Sequence, residues 1–199
     1  MPPFSSKRRT LLTATTAGLL SIALAGCKSD LKFQGSDISG THIGQDLDMV
    51  DITGQARTLA DYKGKVLVVF FGFTHCPDVC PTAMAQLAQA MTLLKGDTSK
   101  VQVMMITVDP ERDTSALLGN YVKAFNPGFT GLTGTAAQLE KTAKSFKAYY
   151  KKVPGRTRDE YSMDHGSSFY ILDQQGEARV LLRGDASAQV IAGDIQLLL

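Results

Sequence analysis

The stretch Val66-Leu67-Val68-Val69-Phe70-Phe71-Gly72-Phe73-Thr74-His75-Cys76-Pro77-Asp78-Val79-Cys80-Pro81-Thr82 decides the fold. Its first six residues form an unbroken apolar run of β-branched, leucine and aromatic side chains, the pattern of a strand buried on both faces. Its end opens a helix. Pro81 suits a first helical turn, where a fixed φ and a missing N–H do no harm, and Met84, Leu87, Met91 and Leu94 follow at helical spacing. Between strand and helix sit two thiols four positions apart. A dithiol at a strand-to-helix turn points to disulfide exchange or to a soft metal.

Working outward, the chain alternates strand and helix signals. Residues 101–108 read as a second buried strand. Asp113 or Thr114 caps a helix bearing Leu117, Leu118, Tyr121, Val122 and Phe125, which Asn126-Pro127-Gly128 stops. Thr135 and Gln138 form a capping box for a helix through Leu139, Ala143 and Phe146. Residues 169–172 and 178–182, separated by Asp173-Gln174-Gln175-Gly176, read as a hairpin, and a closing helix from Ser187 carries Val190, Ile191 and Ile195. Strand, helix, strand, then hairpin and helix predicts one thioredoxin-like α/β domain over residues 46–199, a central sheet flanked by helices. That order places the dithiol beyond the carboxyl end of a strand, where open α/β sheets bind their ligands.

The third cysteine, Cys27, belongs to a different signal. Lys7, Arg8 and Arg9 precede a short apolar stretch, residues 11–23, that closes on Leu24-Ala25-Gly26-Cys27. This tetrapeptide resembles the lipobox of bacterial lipoproteins, which predicts a signal peptide over 1–26, lipidation at Cys27 and a polar tether over 27–45. An uncleaved membrane span fits less well, because the stretch falls short of about 20 apolar residues and carries Thr13, Thr15 and Thr16. Arg8-Arg9 matches a twin-arginine export signal only in part. A lipid anchor tethers a protein to the bacterial cell membrane without spanning it, facing the periplasm or the cell exterior. There Cys76 and Cys80 would be the only free thiols, in an oxidising compartment. Removing the three basic residues of the leader takes the formal net charge from +2 to −1, which argues against a nucleic-acid partner.

Both Cys76 and Cys80 precede proline, which pushes their backbones toward extended conformations. On this reading Cys80 is the N-cap of a helix starting at Pro81, and the helix terminus makes it ionise more readily than a free thiol. A gap of three residues can close a disulfide or leave two thiolates free to clamp a metal. Soft sulfur selects copper(I) or zinc, and two thiolates leave most metal sites incomplete. Of the three histidines, His42 reads as a solvated residue of the tether, and His75 points away from its neighbour Cys76. His165, in Asp164-His165-Gly166 just before the hairpin, is the candidate third ligand. Met84, Met91, Met104 and Met105 read as core, and Met163, although two residues from His165, does not enter the ligand set. Asp78 reads as an exposed turn residue and Glu111-Arg112-Asp113 as a solvated loop and helix cap.

Phe71-Gly72-Phe73-Thr74-His75-Cys76-Pro77-Asp78-Val79-Cys80-Pro81 resembles the signature of the Sco/SenC copper chaperones of cytochrome c oxidase assembly. The likeness continues through Val108-Asp109-Pro110-Glu111-Arg112-Asp113-Thr114, Tyr121-Val122-Lys123, Gly131-Leu132-Thr133-Gly134-Thr135 and Asp164-His165. Gly166-Ser167-Ser168 departs from it, being smaller than the apolar run expected there. The resemblance implies copper, as Cu(I) and Cu(II), held by Cys76, Cys80 and His165, and delivery to the copper-bearing subunit of cytochrome c oxidase. It implies other copper chaperones or thiol reductants as further partners, and the membrane through the lipid anchor. A histidine on a flexible loop between Gly155 and Gly166 would leave first during transfer. The alternative is a thiol-disulfide oxidoreductase in which the Cys76–Cys80 pair reduces the subunit's cysteines, an activity that requires no histidine. The two activities can coexist, and no peroxidatic signature stands in the chain.

Overall fold

The apolar run after Lys65 becomes the middle strand of a mixed sheet in the computed structural model, which describes residues 31–156 and 160–199. In chain order the elements are β1 (Ser36–Asp37), β2 (Met49–Asp51), β3 (Ala56–Arg57), β4 (Val66–Gly72), α1 (Val79–Leu93), β5 (Val101–Thr107), α2 (Ser115–Phe125), β6 (Thr130–Thr133), α3 (Ala136–Phe146), β7 (Tyr150–Pro154), β8 (Tyr161–His165), β9 (Phe169–Leu172), β10 (Ala178–Leu182) and α4 (Ala188–Gln196). The main sheet runs β1-β10-β9-β4-β5-β6-β2-β3. Its centre, β4-β5-β6, is parallel, and the flanking pairs are antiparallel. Among the described residues the strands β7 and β8 pair only with each other, as a separate two-stranded ribbon.

Every residue of β4 is buried, because helices cover both faces and no polar alternation is needed. Phe70 pairs with Phe169 across β9, and Phe71 with Ile106 across β5. Phe70, Phe71, Phe146, Phe169, Met104 and Met105 are fully buried and form the heart of the core. Met84 is fully buried too, whereas Met91 is only half-buried. The helices α2, α3 and α4 begin where their caps predict. The hydroxyl of Thr114 accepts from Leu117 N, Thr135 and Gln138 form the reciprocal capping box, and the hydroxyl of Ser187 accepts from Val190 N. In the β9–β10 turn, Asp173 accepts from the N–H groups of Gln175 and Glu177, and Gly176 supplies the positive φ of 86°.

Three features depart from the sequence reading. The segment expected to be a tether up to residue 45 is part of the folded unit from Lys32 onward. Gln34 N and Gly35 N both donate to the fully buried carboxylate of Asp194, and β1 pairs with β10. The short strands β1, β2, β3 and β6 complete the sheet without an apolar pattern long enough to announce them. Before β9, Tyr150–Pro154 and Tyr161–His165 are strands of a ribbon. The expected signal peptide over 1–26 and Cys27 lie outside the described residues.

Candidate metal centre

The carboxyl end of β4 aims the chain into a tight turn over Phe73–Asp78, closed by Cys76 N donating to Phe73 O at 3.3 Å. Cys76 sits in this turn, as its proline neighbour requires. Cys80 lies in the first turn of α1, whose N-cap is Asp78. The helix therefore starts two residues before the expected boundary at Pro81. Proline remains acceptable there, because the first-turn N–H groups have no partner within the helix. Cys80 N donates to the Cys76 sulfur at 3.4 Å, which ties the two thiols together.

His165 ends β8, opposite Tyr150, so among the described residues a strand, not the expected flexible loop, delivers it. Its Nδ1 lies 2.9 Å from Gly166 O. A carbonyl only accepts, so Nδ1 carries the proton and Nε2 offers its lone pair. That Nε2 lies 3.5 Å from the Cys80 sulfur. The edges of Phe73 and Phe70 hold the ring, with centroids at 5.6 and 6.3 Å. The ligand atoms of Cys76, Cys80 and His165 all lie within 4.8 Å of one another. Bonds of roughly 2.0–2.3 Å, the range of zinc–thiolate and zinc–imidazole sites, put the ligand atoms of a trigonal centre roughly 3.5–4 Å apart. A small inward rotation closes this trio on one soft ion.

Burial decides the acidity of Cys80. The side chain is fully buried, and desolvation pushes its thiol well above the ordinary range. A hydrogen bond from the Phe73 backbone opposes this, while the neighbouring Cys76 and Asp113 add to it. The expectation that the helix terminus makes Cys80 ionise readily is thus overturned. A first-turn position contributes a fraction of a charge, and full loss of water outweighs it. Gly72 allows that burial, since a Cβ there would lie 3.1 Å from the Cys80 sulfur.

The other predicted residues sort cleanly. His75 lies outside the trio, its Nδ1 3.1 Å from the Thr74 hydroxyl and 3.6 Å from Asp113. His42 is exposed, 4.0 Å from Glu177. Asp78 is exposed. Met163 is buried under the ribbon and lines a cavity of about 310 Å³ with Val108, Leu139 and Tyr150. Arg112 and Asp113 correct the expectation of a solvated loop. Asp113 is almost fully buried and accepts from Thr74 N, the Thr74 hydroxyl and the Thr107 hydroxyl at 3.0, 2.6 and 2.6 Å. Arg112 pairs with buried Asp109 and donates to Tyr161 O at 3.1 Å. The Tyr161 hydroxyl donates to Asp109 at 2.8 Å; burial and this bond push it up to about 12. Arg112 and Asp113 read locally as solvated because Tyr161 and Thr74, which they meet, are distant in sequence.

Fold and site together define a thioredoxin-like domain that brings two thiols and one imidazole to a single point suited to a soft metal. The chain belongs to the SCO1/SenC family, whose profile matches residues 35–199. The structure of Bradyrhizobium japonicum ScoI with copper bound is similar, at a TM-score of 0.72 and 37% identity, over 79% of this chain and 99% of that one. Apo Sco1 from Thermus thermophilus aligns at a TM-score of 0.77 and 32% identity, over 86% and 99%. The bovine mitochondrial SCO2 homolog is 39% identical over 137 residues, 67% of this chain and 52% of its own length. The chain thus spans about half of that relative.

Proposed function

We propose that this protein is a copper carrier for cytochrome c oxidase assembly, with copper as its cargo and Cys76, Cys80 and His165 as the ligands. The observation that carries the reading is the convergence of two sulfurs and a bare imidazole nitrogen within 4.8 Å, in a family whose copper-bound ScoI is 37% identical. Two thiolates and an imidazole satisfy copper(I), which tolerates low coordination. Cys80 is buried, while Cys76 and His165 are half-buried. An incoming thiolate therefore reaches the copper beside Cys76 and His165, and Cys80 releases it last. The acceptor is the copper-bearing subunit of the oxidase. Lipidation at Cys27 would hold the domain at the outer face of a bacterial cell membrane. No helix among the described residues is long and apolar enough to cross one.

The test is anaerobic titration of the reduced full chain with Cu(I), beside Cys76→Ala, Cys80→Ala and His165→Ala variants. One tight copper per chain, weakened in all three variants, is the expected result. Failure of the wild-type chain to bind copper tightly would refute the reading.

A second activity has its own support. Both thiols are free, and their sulfurs lie within 4.8 Å, close enough for side-chain rotation to bring them to bonding distance. The half-buried Cys76 would attack a disulfide of the acceptor and the shielded Cys80 would resolve the mixed disulfide. This oxidises the pair to Cys76–Cys80 and leaves the acceptor with two thiols ready for copper. His165→Ala separates the two activities, since thiol exchange survives it and copper retention does not.

A further inference from the structure

The two halves of the Cys–Cys–His cluster come from separate pieces of the fold. The dithiol turn grows out of β4 in the main sheet, whereas His165 ends a ribbon that, among the described residues, shares no strand pairing with that sheet. An isolated two-stranded ribbon is marginal in water, so side chains must fix its position against the body. One five-residue segment, Asp109–Asp113, touches both halves. At one end the Asp113 carboxylate accepts from the backbone and hydroxyl of Thr74 in the dithiol turn and from Thr107 at the end of β5. At the other end Asp109 and Arg112 grip Tyr161, the first residue of β8.

That grip uses every face of the tyrosine. Its hydroxyl donates to Asp109 at 2.8 Å, and its carbonyl accepts from Arg112 at 3.1 Å. The Arg112 guanidinium lies over its ring at 3.6 Å and the Lys152 ammonium at 3.9 Å. Lys152 also donates to Glu111 at 2.6 Å, so the neighbouring strand β7 is held by the same segment. Arg112 pairs with Asp109, while its Nη2 is buried without a hydrogen-bond partner among the described residues. Tyr161, Met163 and His165 alternate onto one face of β8. Anchoring the first of them to the body sets where the last one lies.

We propose that the segment Asp109–Asp113 is a bracket that fixes the ribbon against the dithiol turn, with Arg112 and Tyr161 as positioning residues for His165. The proposal rests on the copper-site reading only for its consequence; the bracket itself is a property of the metal-free protein. Neither residue touches the ligand atoms. Each acts through the placement of β8, which carries the histidine to Cys80.

The test compares Arg112→Met, Arg112→Lys and Tyr161→Phe in the full chain by two measurements. Amide hydrogen exchange on the metal-free protein reads the ribbon, residues 150–154 and 161–165, against β4 and β5. Competition titration reads Cu(I) affinity. Arg112→Met should speed exchange of the ribbon amides by about tenfold or more while β4 and β5 stay protected, and should weaken Cu(I) by about 10–100-fold, the usual effect of losing a group that orients a ligand. Tyr161→Phe keeps the ring under both cations and should fall between Arg112→Met and wild type. Arg112→Lys restores charge without the fork and should recover only part of the affinity. Repeating Arg112→Met in a His165→Ala background should leave copper affinity where His165→Ala alone puts it. Native exchange in the ribbon, or exchange rising equally in β4 and β5, would overturn the bracket. An equal loss of affinity with and without His165 would show that Arg112 acts elsewhere. If His165→Ala binds copper like the wild type, the ligand reading fails, and the exchange pattern still decides the bracket.

Discussion

Replacing Gly72 with alanine tests whether close packing at the end of β4 sets the geometry of the dithiol. The added Cβ would lie 2.7 Å from Phe70 Cε1, 3.1 Å from the Cys80 sulfur and 3.2 Å from Met105 Cε. The end of a methionine side chain can move aside. Phe70 cannot do so freely, since it is fully buried, packs on Phe169 at 5.5 Å and meets His165 in a T-shaped contact at 6.3 Å. The overlap is therefore relieved toward the site, through Phe70 onto His165 and through the Cys80 sulfur directly. Overpacking of this kind costs about 1–3 kcal/mol, or roughly 3–10 °C in melting temperature for a domain of this size. Displacing two ligands by a few tenths of an ångström should weaken Cu(I) by about 10–100-fold, as loss of a ligand-orienting contact does. Anaerobic competition titration gives the affinity, and melts with and without Cu(I) separate it from stability. Gly166→Ala is the control, because a Cβ there meets nothing within 4 Å although the residue adjoins His165. Wild-type affinity in Gly72→Ala, or an equal loss in Gly166→Ala, would refute the reasoning.

Two predictions concern protons. Burial raises the Cys80 thiol above its ordinary value of 9.0, so at neutral pH copper must displace its proton. Cu(I) affinity should rise by about tenfold per pH unit between about pH 6 and 8 on this account alone, and a flat profile would exclude Cys80 as a thiolate ligand. The sign for folding runs the other way. The metal-free fold keeps the neutral thiol's contribution below pH 9.0 and loses it as the pH climbs from there toward the raised folded value, which chemical denaturation at alkaline pH will read. At the other extreme, burial raises the Asp51 carboxyl, but hydrogen bonds from Thr53, Arg57 and the Gln55 N–H outweigh it and hold the group at about 2 rather than 3.8. That depression is worth about 2 kcal/mol above pH 4, lost as pH falls through about 2. The stability gap between wild type and Asp51→Asn should therefore close on acidification, and a gap independent of pH would refute the assignment.

Much of this was legible in the chain because it is local. Residues 66–71 are apolar without interruption, which only a strand covered on both faces tolerates. Thr114, Thr135 and Ser187 mark helix starts through bonds that reach only three residues ahead. The Asp173–Gly176 turn carries its own hydrogen-bond acceptor and its own positive φ. Even the cluster of Cys76, Cys80 and His165 was within reach, since a dithiol lacking a third donor leaves few histidines to choose from. What eluded the sequence depends on distance. The strands β1 and β3 are two residues long and exist because a neighbouring strand offers them unpaired backbone. Their residues stay exposed or half-exposed, so no buried face marks them in the sequence.

The sequence by itself determined the thioredoxin-like order of elements and the dithiol at the end of β4, and it singled out the histidine that lies beside that dithiol, because periodicity, capping and residue chemistry act over a few positions. Only the tertiary structure decided how those groups behave. It buried Cys80 completely, so that loss of water overrode the helix terminus and raised the thiol instead of lowering it. It put His165 on a strand and brought it to Cys80 across 85 residues of chain. It also turned Arg112 and Asp113 from an apparent surface loop into part of the joint between the two halves of the site. Burial, and which distant groups meet, are properties of the packed molecule, and no window of sequence contains them.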